Sequence, residues 1–215
     1  MIFHKQLANV VYPVFDNLLW RLPRKQKTLY LTFDDGPFPE ATERILHILR
    51  DYRVSAVFFL SGQALQKYRE EVKQLDYSGH RLGNHGFTHV PYLLQPLSEL
   101  IRQIRTTDML MNELVGSPST LFRPPFGMFG PALLKALDRL RKDMILWSLM
   151  SYDFKWSPER TLNYLKQNVE NGDIIVFHDS CKSYQTTLNV LEPFLEYCLT
   201  AGFEFRVISG EGSHA

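Results

Sequence analysis

Two carboxylates stand side by side at Asp34 and Asp35, and two imidazoles stand four residues apart at His85 and His89. Adjacent like charges are costly unless a cation or an arginine compensates them. One carboxylate with two imidazoles makes three protein ligands and leaves positions open for water and substrate, the pattern of a catalytic rather than a structural metal site. These mixed nitrogen and oxygen donors suit one divalent metal, with Zn2+ the first choice and Co2+, Ni2+ or Mn2+ as substitutes. The remaining carboxylate can then take a proton from water whose pKa the cation lowers. Which aspartate plays which part stays open on the residues alone. His178 closes an apolar run over residues 174–177 and suits a general acid if a carboxylate lies beside it. Arg123-Pro124-Pro125-Phe126-Gly127 is a stiff loop of fixed φ. Its arginine can pair with a carboxylate, and the Phe126 N–H can serve an oxyanion. Each feature alone has a plainer reading: DDGP as an Asx-capped turn, HxxxH as a surface pair, His178 as a core residue.

A scaffold must bring these groups together. Apolar runs that read as strands cover Thr28–Phe33, Val54–Leu60, Gly79–Asn84, Thr120–Phe122, Asp143–Trp147, Asp173–Phe177 and Phe203–Ile208. Helical spacing covers Glu40–Tyr52, Gln63–Tyr77, Leu97–Leu114 (with Ser98 near its start), Pro131–Arg141, Pro158–Val169 (capped by Ser157) and Gln185–Leu199. Alternating strand and helix means a parallel sheet with right-handed crossovers. Asp34 and Asp35 follow the first strand, His85 and His89 the third, and Arg123 the fourth. Asp153 lies beyond the fifth strand, and His178 ends the sixth. An open sheet would scatter those loops, whereas a barrel gathers them at one mouth. The expected fold is therefore α/β: an irregular (β/α) barrel of about seven parallel strands in a single domain.

The 215 residues suffice for one domain with a sizeable core. A net charge of +1 gives no pull toward nucleic acid. Aromatic content of 13% suits a sugar-stacking surface and a packed core equally. Cys181 and Cys198 lack zinc spacing and suggest no disulfide framework. The first twenty residues are too short and too polar to span a bilayer and lack a signal-peptide pattern, so a helix packed outside the barrel is expected there. The expected layout is a helix and connector over residues 1–27, the barrel over 28–208 and a flexible tail over 209–215. The place of action is then cytoplasmic or peripheral to a membrane.

Five motifs in order give these residues a family. They are TFDDGP at Thr32–Pro37, HGFTH at His85–His89, RPPFG at Arg123–Gly127, SYDF at Ser151–Phe154 and VFH at Val176–His178. Together they resemble the polysaccharide deacetylases, carbohydrate esterase family four. The resemblance implies a seven-stranded irregular barrel and hydrolysis of N-acetyl groups on carbohydrate. It implies Asp35, His85 and His89 as metal ligands, Asp34 as general base oriented by Arg123, and His178 as general acid tuned by Asp153. It also implies Phe126 as oxyanion donor in a substrate groove that includes Pro125 and Phe154. Four positions depart from the family pattern, one of them Met150, near the place of an acidic residue that the SYDF motif lacks. Gly86 stands where Ser or Thr is usual, which predicts a missing hydrogen bond in the histidine loop. Phe126 replaces a common Tyr, and Phe154 replaces Trp. Two other readings remain for the test of function: hydrolysis of another small amide on the same scaffold, and an inactive carbohydrate-binding protein.

Overall fold

The computed structural model describes residues 18–22, 27–117 and 119–208. Nine short strands and seven helices alternate along the described chain. The strands are β1 (Leu18–Leu19), β2 (Thr28–Asp34), β3 (Ala56–Leu60), β4 (Arg81–Asn84), β5 (Leu121–Phe122), β6 (Asp143–Ile145), β7 (Leu149–Met150), β8 (Ile174–His178) and β9 (Glu204–Phe205). The helices are α1 (Pro39–Asp51), α2 (Gly62–Lys67), α3 (Arg69–Val72), α4 (Leu97–Val115), α5 (Pro131–Leu140), α6 (Pro158–Asn168) and α7 (Tyr184–Thr200).

Every strand pairing is parallel, in the order β1-β6-β5-β4-β3-β2-β8-β7, with β9 added on β2. The sheet curls into an irregular barrel, as expected, but by a different strand count. The fifth predicted strand is interrupted. β6 ends at Ile145, and Ser148 carries the chain across to β8: its N–H donates to the Ile174 carbonyl at 3.0 Å and its Oγ to Asp173 Oδ1 at 2.7 Å. β7 then pairs with β8. β1 fills the gap low in the wall, where Leu146 N–H donates to the Leu19 carbonyl at 2.7 Å and Leu22 N–H to the Gly172 carbonyl at 3.1 Å.

Other expectations shift as well. Residues 1–17 and 209–215 lie outside the described residues, and Leu18 and Leu19, expected in a helix, form a strand. The helix predicted over Gln63–Tyr77 breaks at Tyr68, whose φ of −109° and ψ of 34° leave the helical region. Its ring packs edge-on against Phe38 at 5.9 Å. An Asx turn from Ser78 N–H to Asp76 Oδ1 at 3.0 Å then leads toward β4. Ser98 caps nothing, since α4 starts after Pro96 without a side-chain cap. Ser157 does cap α6, accepting from Arg160 N–H at 3.4 Å, with Pro158 in the first turn. The last predicted strand shrinks to two residues.

The core has two layers because the central strands are buried on both faces. Ala56, Phe58 and Leu60 of β3 point to the helix layer with Leu29, Leu31, Ile45 and Phe194. Val57 and Phe59 point into the barrel with Leu121, Ile145 and Ile174. Period-two alternation requires this split, and it explains why the runs read as continuous apolar stretches. Phe58 is fully buried, stacked 4.9 Å from Phe33 and edge-on to Tyr77 at 5.3 Å. Phe58→Ala should lower the unfolding free energy by about 3–5 kcal/mol in urea titrations with an unchanged m-value. A loss below about 1 kcal/mol would contradict the two-layer packing.

Candidate active site

Alternation in β2 also aims the first carboxylate. Leu29, Leu31 and Phe33 face the helices, so Tyr30, Thr32 and Asp34 face the barrel interior. There Asp34, 3% exposed, accepts a hydrogen bond from Arg123 Nη1 at 2.7 Å. Arg123 is fully buried and satisfied. Nη1 also reaches Thr32 Oγ1 at 2.7 Å, Nε donates to the Ile145 carbonyl at 3.0 Å and Nη2 to the Leu146 carbonyl at 2.9 Å. Its guanidinium lies 4.1 Å from the centre of the Phe59 ring.

Asp35 leaves the alternation. Its φ of 76° lies in the left-handed region, which non-glycine residues visit rarely and Asp more readily than most. That turn carries its carboxylate to the loop after β4. Asp35 Oδ1 lies 3.4 Å from His85 Nε2 and 3.1 Å from His89 Nε2, yet it is buried and takes no well-formed hydrogen bond among the described residues. The Nδ1 of His85 is 2.8 Å from the Arg123 carbonyl. A carbonyl only accepts, so Nδ1 carries the proton and Nε2 presents its lone pair.

These features fit a divalent cation. One ligand atom from each of Asp35, His85 and His89 lies within 4.8 Å of the others. The oxygen–nitrogen spacings are close to the roughly 3.3 Å edge of a tetrahedron whose ligands sit about 2.0–2.1 Å from its centre. The orphaned Asp35 oxygen is the atom such an ion would satisfy. Burial pushes the Asp35 carboxyl up, but the His85 and His89 imidazoles outweigh it and hold it well below the usual carboxylate range. It is therefore ionised and ready to ligate.

On the neighbouring strand β8, His178 stands in register with Asp34. Its Nδ1 is 2.7 Å from Asp153 Oδ1. Asp153 Oδ2 accepts from the His178 backbone N–H and from Thr187 Oγ1, each at 2.7 Å. Asp153 is thus buried, fixed and fully used, and Nε2 is the free nitrogen of His178. Burial works against the imidazolium, but Asp153, with smaller help from Asp35 and Asp34, raises its pKa to about 9. A cation at Asp35 would offset the part due to Asp35 and Asp34.

Phe126 and Phe154 flank this centre. Phe126, 53% exposed with a φ of 61°, packs 4.4 Å from the His89 ring, beside buried Pro125. Phe154 stands edge-on to His178 at 5.0 Å, with Lys182 Nζ 5.5 Å from its centre. All ten residues singled out in the sequence therefore border one mouth of the barrel. Residues without a motif also belong to the site. Thr187 pins Asp153 from α7. Asn84 Oδ1 accepts from Gly86 N–H at 2.7 Å, while its Nδ2 reaches Asp108 at 2.7 Å. Asp179 is fully buried, and its Oδ2 accepts from Thr42 at 2.7 Å. A Cβ on Gly36 would sit 2.1 Å from that oxygen, so the turn after the paired aspartates requires glycine. Gly86 has no side chain to bond, as expected, but the histidine loop is supported by other bonds. Neighbouring N–H groups find acceptors in Asn84, Tyr92 and Gln103.

Comparison with known proteins agrees with this geometry. The sequence profile described as polysaccharide deacetylase matches residues 21–145, more than half of the chain. A peptidoglycan-N-acetylglucosamine deacetylase of Bacillus cereus is 30% identical over 212 residues, covering 97% of each chain. A crystal structure of a peptidoglycan N-acetylglucosamine deacetylase superposes with a TM-score of 0.84 at 29% identity, over 89% of this chain and 91% of that one. A family-four carbohydrate esterase pseudoenzyme from Bacillus anthracis superposes with a TM-score of 0.83 at 23% identity, over 90% of this chain and 68% of that one, a likeness of fold alone.

The His178–Asp153 pair sets a pH dependence. A histidine whose folded pKa lies above its unfolded value of 6.5 adds stability that is complete below 6.5 and lost as pH rises through about 9. In the metal-free protein, NMR titration should place His178 near 9. Asp153→Asn should bring it toward 6.5 or lower and flatten the stability change across that window. An unchanged midpoint would remove Asp153 as the cause.

Proposed function

This chain belongs to the polysaccharide deacetylase family, and from that footing we propose how its site removes N-acetyl groups from amino-sugar oligo- or polysaccharides. It is a metal-dependent hydrolase of amide bonds, with Asp35, His85 and His89 holding one divalent ion, which we take to be Zn2+. When bound, the ion supplies a lowered pKa for water and polarisation of the acetamide carbonyl.

The protein's own groups do the rest. Asp34 is the general base. Arg123 holds Oδ1, so the other oxygen can receive the proton of the attacking water. His178 is the general acid, with Asp153 on Nδ1 directing its transferable proton to Nε2. That proton goes to the departing sugar nitrogen as the carbon–nitrogen bond breaks, giving acetate and a free amine. The Phe126 N–H serves the carbonyl oxygen as it gains charge. Pro125, Phe126 and Phe154 form the apolar wall of the sugar groove. No helix among the described residues is long and apolar enough to cross a membrane.

The observation that supports this reading best is the register of Asp34 with His178 on adjacent strands, beside the Asp35–His85–His89 cluster. It gives base and acid separate counter-ions, Arg123 and Asp153. Acetate release from chitooligosaccharides should require metal and stop on chelation. Asp34→Asn should lower kcat by about 10²–10⁴-fold while zinc content by elemental analysis stays at the parent level. His89→Ala should lose zinc as well as activity. A fully active Asp34→Asn enzyme overturns the base assignment. A zinc-loaded parent that binds chitooligosaccharides without releasing acetate is instead an inactive binding protein.

A further inference from the structure

The loop bearing the two histidines is held by a residue pair that no motif includes. Gly86 has a φ of 76°, and a Cβ there would lie 2.0 Å from the hydroxyl oxygen of Tyr92. That hydroxyl accepts from Phe87 N–H at 3.2 Å and donates to Gln103 Oε1 at 2.8 Å. The same Oε1 accepts from Thr88 N–H at 3.1 Å and from Thr88 Oγ1 at 2.7 Å. Gln103 Nε2 donates to Gln95 and Glu99 at 2.9 and 3.0 Å, which fixes the end of the amide that faces the loop. Tyr92 is fully buried and Gln103 is 3% exposed on α4. The two backbone N–H groups just before His89 therefore both end on this pair. On the loop's other side, the Gly86 and Phe87 carbonyls accept from Gly62 and Gln63 N–H at 2.9 and 3.0 Å.

The two histidines differ in how they are anchored. His85 is 2% exposed, with its N–H on the Leu60 carbonyl and its Nδ1 on the Arg123 carbonyl. The His89 side chain is 39% exposed, and its place depends on the path of residues 86–88. We propose that Tyr92 and Gln103 are positioning residues that preorganise His89 for the metal. The Tyr92 hydroxyl fills the space that a side chain at position 86 would take and supplies the acceptor that Phe87 needs. This inference rests on Asp35, His85 and His89 being the metal ligands. Without the hydroxyl, the half-buried Phe87 N–H loses its partner and the loop must shift to find another. That shift moves an exposed ligand and leaves the buried one in place.

The test is the Zn2+ affinity of the metal-free, folded protein, measured by competition with a chromophoric chelator. Tyr92→Phe keeps the ring packed near Phe122 and removes only the hydroxyl. The expected result is a Zn2+ Kd raised about tenfold or more. A merely structural role would lower the thermal midpoint of the metal-free protein and leave the Kd of the folded fraction unchanged. Tyr77→Phe, at a buried tyrosine whose hydroxyl has no hydrogen-bond partner among the described residues, is the control and should leave the Kd at the parent value. Gln103→Leu should act in the same direction as Tyr92→Phe and decides the matter if that variant does not fold. Kd values of both variants within about twofold of the parent would overturn the inference, since losing a metal-orienting partner costs far more. A parent that takes up no zinc would overturn the metal centre itself, and this inference with it.

Discussion

A single buried guanidinium ties the barrel to its chemistry. Arg123 follows β5, yet its side chain crosses the interior to Asp34 and Thr32 of β2, the carbonyls closing β6, and the Phe59 face on β3. Removing a charge from water costs several kcal/mol unless its partners are complete, and here they are. The main chain of the same residue fixes the histidine loop. Its N–H donates to the Asn84 carbonyl at 2.9 Å, and its carbonyl sets the His85 tautomer. One residue thus orients Asp34 through its side chain and His85 through its backbone. An uncompensated Asp34 would be left inside the barrel if Arg123 were truncated, a loss of about 3–5 kcal/mol by the usual behaviour of broken buried pairs.

The paired aspartates pose an electrostatic problem that the backbone solves. In a continuing strand Asp34 and Asp35 would face opposite sides of one sheet. The left-handed φ at Asp35 instead turns its carboxylate to the histidines, while Asp34 stays on Arg123. Each carboxylate then has its own partners, Arg123 for Asp34 and the two imidazoles for Asp35. Gly36 allows the close approach of Asp179 just behind this turn. Such a conformation persists where the surrounding structure determines it.

Much of this was legible in the sequence, for identifiable reasons. Strands buried on both faces, such as β2, β3 and β8, are unbroken apolar runs, and their chemistry-bearing residues fall at their C-terminal ends. Asp34, Asp35, His85, His89, Arg123, Asp153 and His178 could be read because parallel topology sends those ends to one mouth. Elements defined by a single long-range contact could not. β1 is two residues recognised only by its pairing with β6. The break between β6 and β7 depends on where Ser148 finds its partners on β8. The split of the helix after Leu60 turns on the Tyr68 backbone, which no periodicity records. Gly86 looked like a lost hydrogen bond because local sequence does not show that Tyr92, six residues on, folds back to supply one.

The acid and base roles proposed for this site rest on how two buried carboxylates are partnered. Asp34 faces a guanidinium, which donates to its Oδ1 and never gives up its proton in proteins. Asp153 faces an imidazole, whose proton is exchangeable, and its second oxygen is taken up by the His178 backbone N–H and Thr187. Asp153 therefore holds its neighbour charged without competing for the substrate's proton. Similar carboxylates in dissimilar surroundings divide the proton work between them. That division requires β2 and β8 to be adjacent and in register, which places Asp34 opposite His178. The proposed pairing is thus a property of sheet topology first and of side-chain chemistry second. A one-residue slip between these strands would invert the facing of one partner and undo the pair while leaving every motif intact.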